Sequence, residues 1–105
     1  MNVYNGTTPE SQAVAEILNA EHEALLALPA PPGLRLFASP EQRAADEAAR
    51  AEIRRQREAI EAETMDKIRA LAEQGNLVAR GFLAHTAQEM AESAAARHGR
   101  YAGDY

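Results

Sequence analysis

Neither cysteine nor tryptophan occurs in the chain, and its 105 residues include only two phenylalanines and three tyrosines. The absence of cysteine excludes disulfides and thiol chemistry, and with them a secreted fold that depends on such staples. No apolar run nears the roughly 20 residues that a bilayer crossing takes. The opening MNVYNGTTPESQ has neither the charged nor the apolar region of a signal peptide, so a cytoplasmic protein is expected. Valine, isoleucine and threonine are scarce, which disfavours sheet. A basic excess is also missing: 11 Lys and Arg face 16 Asp and Glu, for a net charge of −5. That removes the global electrostatic footprint of a nucleic-acid binder. Basic side chains are interspersed with the acidic ones, which argues equally against an acidic imitation of nucleic acid.

What remains is rich in alanine, glutamate and arginine, a mixture that favours helix. Alanine makes up much of the 46% apolar fraction. Bulky core residues are therefore few, and one small, thin-cored domain is expected. The predicted class is all-α: an elongated three-helix hairpin or bundle about one long central helix. The Ala/Arg-rich usage suits a GC-rich bacterial genome or its phage.

Capping signals mark out the elements. Residues 1–7 read as a loose tail. Thr8 and Pro9 start a first helix over 8–28, and the prolines at 29, 31 and 32 end it. The connection over 29–39 holds Leu34, Arg35, Leu36 and Phe37, an apolar stretch expected to fold back over a helix end as a plug. Ser39, Pro40 and Gln42 write a capping box for a long helix over 40–74, which Gly75 stops. No glycine or proline interrupts it. At 1.5 Å per residue this rod is roughly 50 Å long, more than so small a chain can cover. Asn76 opens a third helix over 76–98, stopped by Gly99, with a C-terminal tail over 99–105. Gly81 within it is read as a kink, a tight crossing or a sign that the third helix starts later. The short Gly-Asn turn sets the third helix antiparallel to the C-terminal half of the long one. The first helix is left to cover the N-terminal half.

Helical spacing gives each helix an apolar side. Val14, Ile17, Leu18, Leu25 and Leu28 share one side of the first helix, with Glu21 in their midst. A buried unpaired carboxylate is costly, so Glu21 is expected either to meet a structural partner such as an arginine of another helix or to mark where cover is missing and another molecule makes contact. In the long helix Ala49, Ile53, Ile60, Thr64, Ile68 and Leu71 form a seam of coiled-coil width, broken by Gln56. Arg43, Arg50, Arg54 and Arg57 flank it on one side, and Glu41, Glu52 and Glu63 on the other. Asp46–Arg50, Arg54–Glu58, Arg57–Glu61 and Glu63–Lys67 are spaced to support the helix. Ala79, Phe82, Leu83, Thr86, Met90, Ala94 and Tyr101 share a side of the third helix.

Little of this can do chemistry. Ser11, Ser39 and Ser93 lie at caps or on helices, outside any nucleophile elbow. No glycine-rich phosphate loop exists. His85 and Glu89 stand four apart, and Glu21, His22 and Glu23 cluster, but two ligands on one helix are a weak metal signal. No enzyme, metal or cofactor is expected. The arginines over 50–57 and a faint helix-turn-helix outline over 68–84 leave nucleic-acid binding as a third reading. Glu47, Glu58 and Glu61 among those arginines weigh against it.

The best fit is a non-enzymatic helical protein-binding module, an adaptor or steric inhibitor docking on a larger protein with an acidic surface or groove. A phage or mobile element blocking host machinery would encode such a chain. Its contacts would be Arg43, Arg50, Arg54 and Arg57, with Tyr101 and Tyr105 in the tail as further candidates. The alternative is a self-associating assembly protein, a homodimer paired through the seam.

Overall fold

The computed structural model describes residues 4–102, and side chains over 4–96. Three helices follow one another: α1 (Pro9–Leu26), α2 (Pro40–Glu73) and α3 (Leu77–Ala102). There is no strand among the described residues. The fold is all-α about one long, unbroken central helix.

Reciprocal hydrogen bonds start the first two helices. The Ser11 amide donates to the Thr8 hydroxyl at 3.1 Å, and the Thr8 amide donates to Ser11 Oγ at 2.9 Å. Gln42 N to Ser39 Oγ at 3.1 Å and Ser39 N to Gln42 Oε1 at 2.9 Å repeat the pattern before α2. Each box satisfies donors that a helix start leaves open. At the other end of α2, Gly75 adopts φ 97° and the amides of Gly75 and Asn76 donate to Ala72 O and Leu71 O. An added Cβ at Gly75 would meet nothing within 4 Å, so the left-handed backbone alone demands glycine. Gly75→Ala is expected to cost about 1 kcal/mol, read from urea unfolding.

Several boundaries differ from those expected. α1 ends at Leu26, capped by Ala27, two positions before Leu28. α3 continues through Gly99 to Ala102. A lone glycine costs a helix about 1 kcal/mol without breaking it, and no proline follows to enforce a stop. Gly81 is exposed with open space around it, so no close crossing depends on it. Residues 4–7 are not loose either. The Asn19 carboxamide accepts from Tyr4 N at 2.8 Å and donates to Tyr4 O at 2.9 Å. Gly6 passes so near α1 that a Cβ there would lie 2.2 Å from Gln12 N.

The core lies at the Gly75 end and draws on all three helices. Val14, Ile68, Ala72 and Ala79 are buried, with Ile17, Leu18, Leu71, Phe82 and Leu83 packed against them. Asn76 ties the three ends together: its Nδ2 donates to Glu10 O at 3.1 Å and its Oδ1 accepts from Ala79 N at 3.0 Å. Leu77 N donates to Glu10 Oε2 at 2.7 Å. This assembly corrects the expected layout. α1 does not cover the N-terminal half of α2; Ile17, Ala20 and Ala24 face Ile60 and Thr64 in the C-terminal half. Residues 87–96 of α3 are exposed throughout. The result is a slab of 54 × 44 × 20 Å.

Candidate docking surface

With α1 and α3 both at the Gly75 end, only residues 29–39 remain to cover the N-terminal half of α2. Prolines deprive this segment of amide donors, so it runs irregularly and must be held by side chains. Two arginines hold it. Arg35 grips Asp46 with both oxygens engaged, Nε to Oδ2 at 3.1 Å and Nη2 to Oδ1 at 3.3 Å. Arg50 Nη2 donates to Pro32 O at 3.2 Å. Asp46 is buried at 8% exposure, and Ile53 is likewise buried beside Pro31. The segment is a polar strap laid over the end of the seam. Asp46 therefore pairs with Arg35 across the chain and not with Arg50 along the helix.

The strap does not use its apolar side chains. Leu34, Leu36 and Phe37 are 97%, 89% and 97% exposed. The expected plug is overturned, for a geometric reason. A plug needs a second apolar wall, and α1 stands against the other half of α2. Three large apolar groups are left in solvent on a segment whose neighbours are anchored.

The arginine flank lies against the same strap. Leu34, Arg35, Arg43, Asp46, Glu47 and Arg50 line one open groove of about 280 Å³. Pro31, Arg50, Ile53, Arg54 and Arg57 line a second of about 240 Å³. Arg50 is half-buried between them, while Arg43, Arg54 and Arg57 are exposed. The side chains of those three make no hydrogen bond or ion pair among the described residues. The expected pairs Arg54–Glu58 and Arg57–Glu61 do not form, although Lys67–Glu63 does at 3.4 Å. Exposed Glu52 is engaged elsewhere. Hydrogen bonds from Arg55 and Gln56, then the Arg55 charge, hold its carboxyl below the ordinary value. It leaves Arg54 and Arg57 unneutralised.

Four of the six expected contact residues, Arg43, Arg50, Arg54 and Arg57, are thus brought together beside the strap. Tyr105 and the side chain of Tyr101 lie outside the described residues. Sequence reasoning missed Leu34, Leu36 and Phe37 as surface groups and Asp46 as the anchor. The only sequence signal was an apolar run directly after Pro31, Pro32 and Gly33. Glu21 is half-buried and meets no arginine among the described residues. His85 pairs with Glu89 at 3.0 Å on an exposed face, and no three metal-ligating side chains gather among the described residues. No helix described is long and apolar enough to cross a membrane.

The anchoring can be tested separately from stability. Arg35 is half exposed while its partner Asp46 is largely covered, so Arg35→Ala should cost about 1–2 kcal/mol of global stability, most of it from the Asp46 carboxylate left without its partner. Limited proteolysis should cut within 33–37 several-fold faster, with α2 unaffected; an unchanged cleavage rate would show that Arg35 does not hold the strap. Comparison of the chain with protein-family models, curated proteins and solved structures finds no match.

Proposed function

We propose that the chain is a non-enzymatic protein-binding module, an adaptor or steric inhibitor, that docks through the strap and the N-terminal half of α2. The observation that carries this reading is the near-complete exposure of Leu34, Leu36 and Phe37 on an anchored segment. Clustered exposed apolar groups mark interaction sites. Anchoring by Arg35 and Arg50 lowers the ordering cost that binding would otherwise incur. Each large apolar side chain contributes roughly 1.5–3 kcal/mol when fully buried, so the three supply most of the affinity. The free arginines on either side supply steering and orientation. The partner offers an apolar pocket within an acidic surface, and docking there blocks whatever else would use it.

Affinity capture from a bacterial lysate tests this with the full chain. Phe37→Asp and Leu34→Asp should each lose the captured protein, and Arg54→Glu with Arg57→Glu should weaken capture and its dependence on salt. All four positions are exposed, so circular dichroism should not change. Capture of the same protein at wild-type level by Phe37→Asp would contradict the reading.

A further inference from the structure

We propose that one occupant of the strap's binding surface is a second copy of this chain, two copies pairing antiparallel about a twofold axis across α2. The inference rests on the docking reading and names a partner for that same surface. The complementary surface lies at the other end of the molecule. Leu18, Met65, Phe82 and Met90 line an open apolar groove of about 400 Å³ where α3 leaves the body. That size falls within the range of about 300–1,000 Å³ typical of ligand pockets, and it is the largest of the grooves described. Met90 is 68% exposed at its edge. No described residue fills the groove.

Charge makes the match specific. Glu21 and Glu61 line the groove, and neither carboxylate makes a hydrogen bond or ion pair among the described residues. Arg69 also lines it, but its guanidinium is bonded to Asp66 at 3.1 Å. The groove is therefore apolar with an acidic rim. Around the strap, Arg35, Arg43, Arg50, Arg54 and Arg57 outnumber Asp46 and Glu47. An apolar knob with a basic surround faces an apolar hole with an acidic one.

Helix geometry then places the two on one side of the rod. Arg43 and Glu61 are separated by five whole turns at 3.6 residues per turn, about 27 Å along α2, and Arg54 stands about two turns before Glu61. An antiparallel second copy, with its axis crossing α2 midway, brings each strap to the other's groove. Residues 54–59 in that middle stretch are all exposed, so the two rods can approach. Each copy gives one knob and accepts one, so the contact closes as a dimer and does not propagate as a filament.

Sedimentation equilibrium of the full chain from low to high micromolar concentration tests the pairing. The wild type should pass from monomer to dimer. Phe37→Asp on the knob and Met90→Asp on the hole should each raise the dissociation constant at least about tenfold, near 1.4 kcal/mol. Arg43→Glu with Arg54→Glu, and separately Glu61→Arg, should each weaken the dimer, while an equimolar mixture of the two variants should associate again. A wild type that stays monomeric throughout, or a dimer that neither Phe37→Asp nor Met90→Asp disturbs, would overturn the proposal. A monomer that still captures a lysate protein through Phe37 would overturn the second-copy pairing alone and leave the docking reading standing.

Discussion

Ile68→Ala is expected to lower the unfolding free energy by about 3 kcal/mol, within the span of about 2–5 kcal/mol for such buried truncations. Ile68 is wholly buried, the one large side chain so enclosed among the described residues. Its buried neighbours are Val14, Ala72 and Ala79, too small to move into the space it leaves. Ile17, Leu18, Leu71, Phe82 and Leu83 pack against this cluster from its rim, each on a helix backbone that fixes how far its side chain reaches. The cavity would therefore persist. A domain of this size has about 5–15 kcal/mol in all, so the change removes a large share. The thermal midpoint should fall by on the order of 15 °C, at roughly 4–8 °C per kcal/mol. Leu36→Ala is the control. At 89% exposure it should stay within about 0.5 kcal/mol. A cost below about 1 kcal/mol for Ile68→Ala in urea unfolding would place the core elsewhere.

Asn76→Ala should cost about 2 kcal/mol, from two roles in one side chain. Its Oδ1 caps α3 by accepting from Ala79 N, and Ala79 is fully buried. Losing a cap costs about 1 kcal/mol, and a buried amide left without an acceptor costs about 1–3 kcal/mol. Its Nδ2 also donates to Glu10 O, the tie that locates the start of α1. Asn76→Asp keeps the acceptor and loses the donor, so it should cost less than half as much. Equal losses in the two variants, compared by chemical unfolding, would show that the cap contributes nothing.

The parts of this fold that were legible in the sequence are those that local chemistry decides. Ser39, Pro40 and Gln42 announce the start of α2, and Gly75 its end, because caps and left-handed turns are chosen by neighbouring residues alone. The seam was legible for the same reason: Ile53, Thr64 and Ile68 recur at helical spacing and all three are buried. What failed depends on where distant segments meet. Leu34, Leu36 and Phe37 are apolar by composition, but their burial needed a wall that α1 withdrew by packing with α3. Asp46 has an arginine at the right helical spacing and bonds Arg35 instead, because the strap returns over it. Glu21 lies on the apolar side of α1 and meets no arginine, since the nearest basic residues serve Glu63 and Asp66. Gly99 failed in the opposite sense, as a local signal too weak to end a helix by itself.

The arginine flank shows the same division. Spacing placed Arg43, Arg50, Arg54 and Arg57 on one side of a rod, which holds for any helix of that sequence. Their meeting with an exposed apolar strap is a tertiary event. It turns a solvated charged face into a surface with both affinity and orientation. Arg50 is the joint, half-buried and bonded to Pro32 O, and the Arg43, Arg54 and Arg57 side chains around it have no partner among the described residues.

Site-specific photo-crosslinking bears most directly on whether the strap is where this chain meets another. A photoreactive phenylalanine analogue would be placed in turn at positions 37 and 57, and at Gln12 and Gln88 as exposed sites remote from the strap. Adducts confined to positions 37 and 57, with one defined protein or with a second copy, are what the account requires. Adducts concentrated at Gln12 or Gln88, with positions 37 and 57 silent, would contradict it.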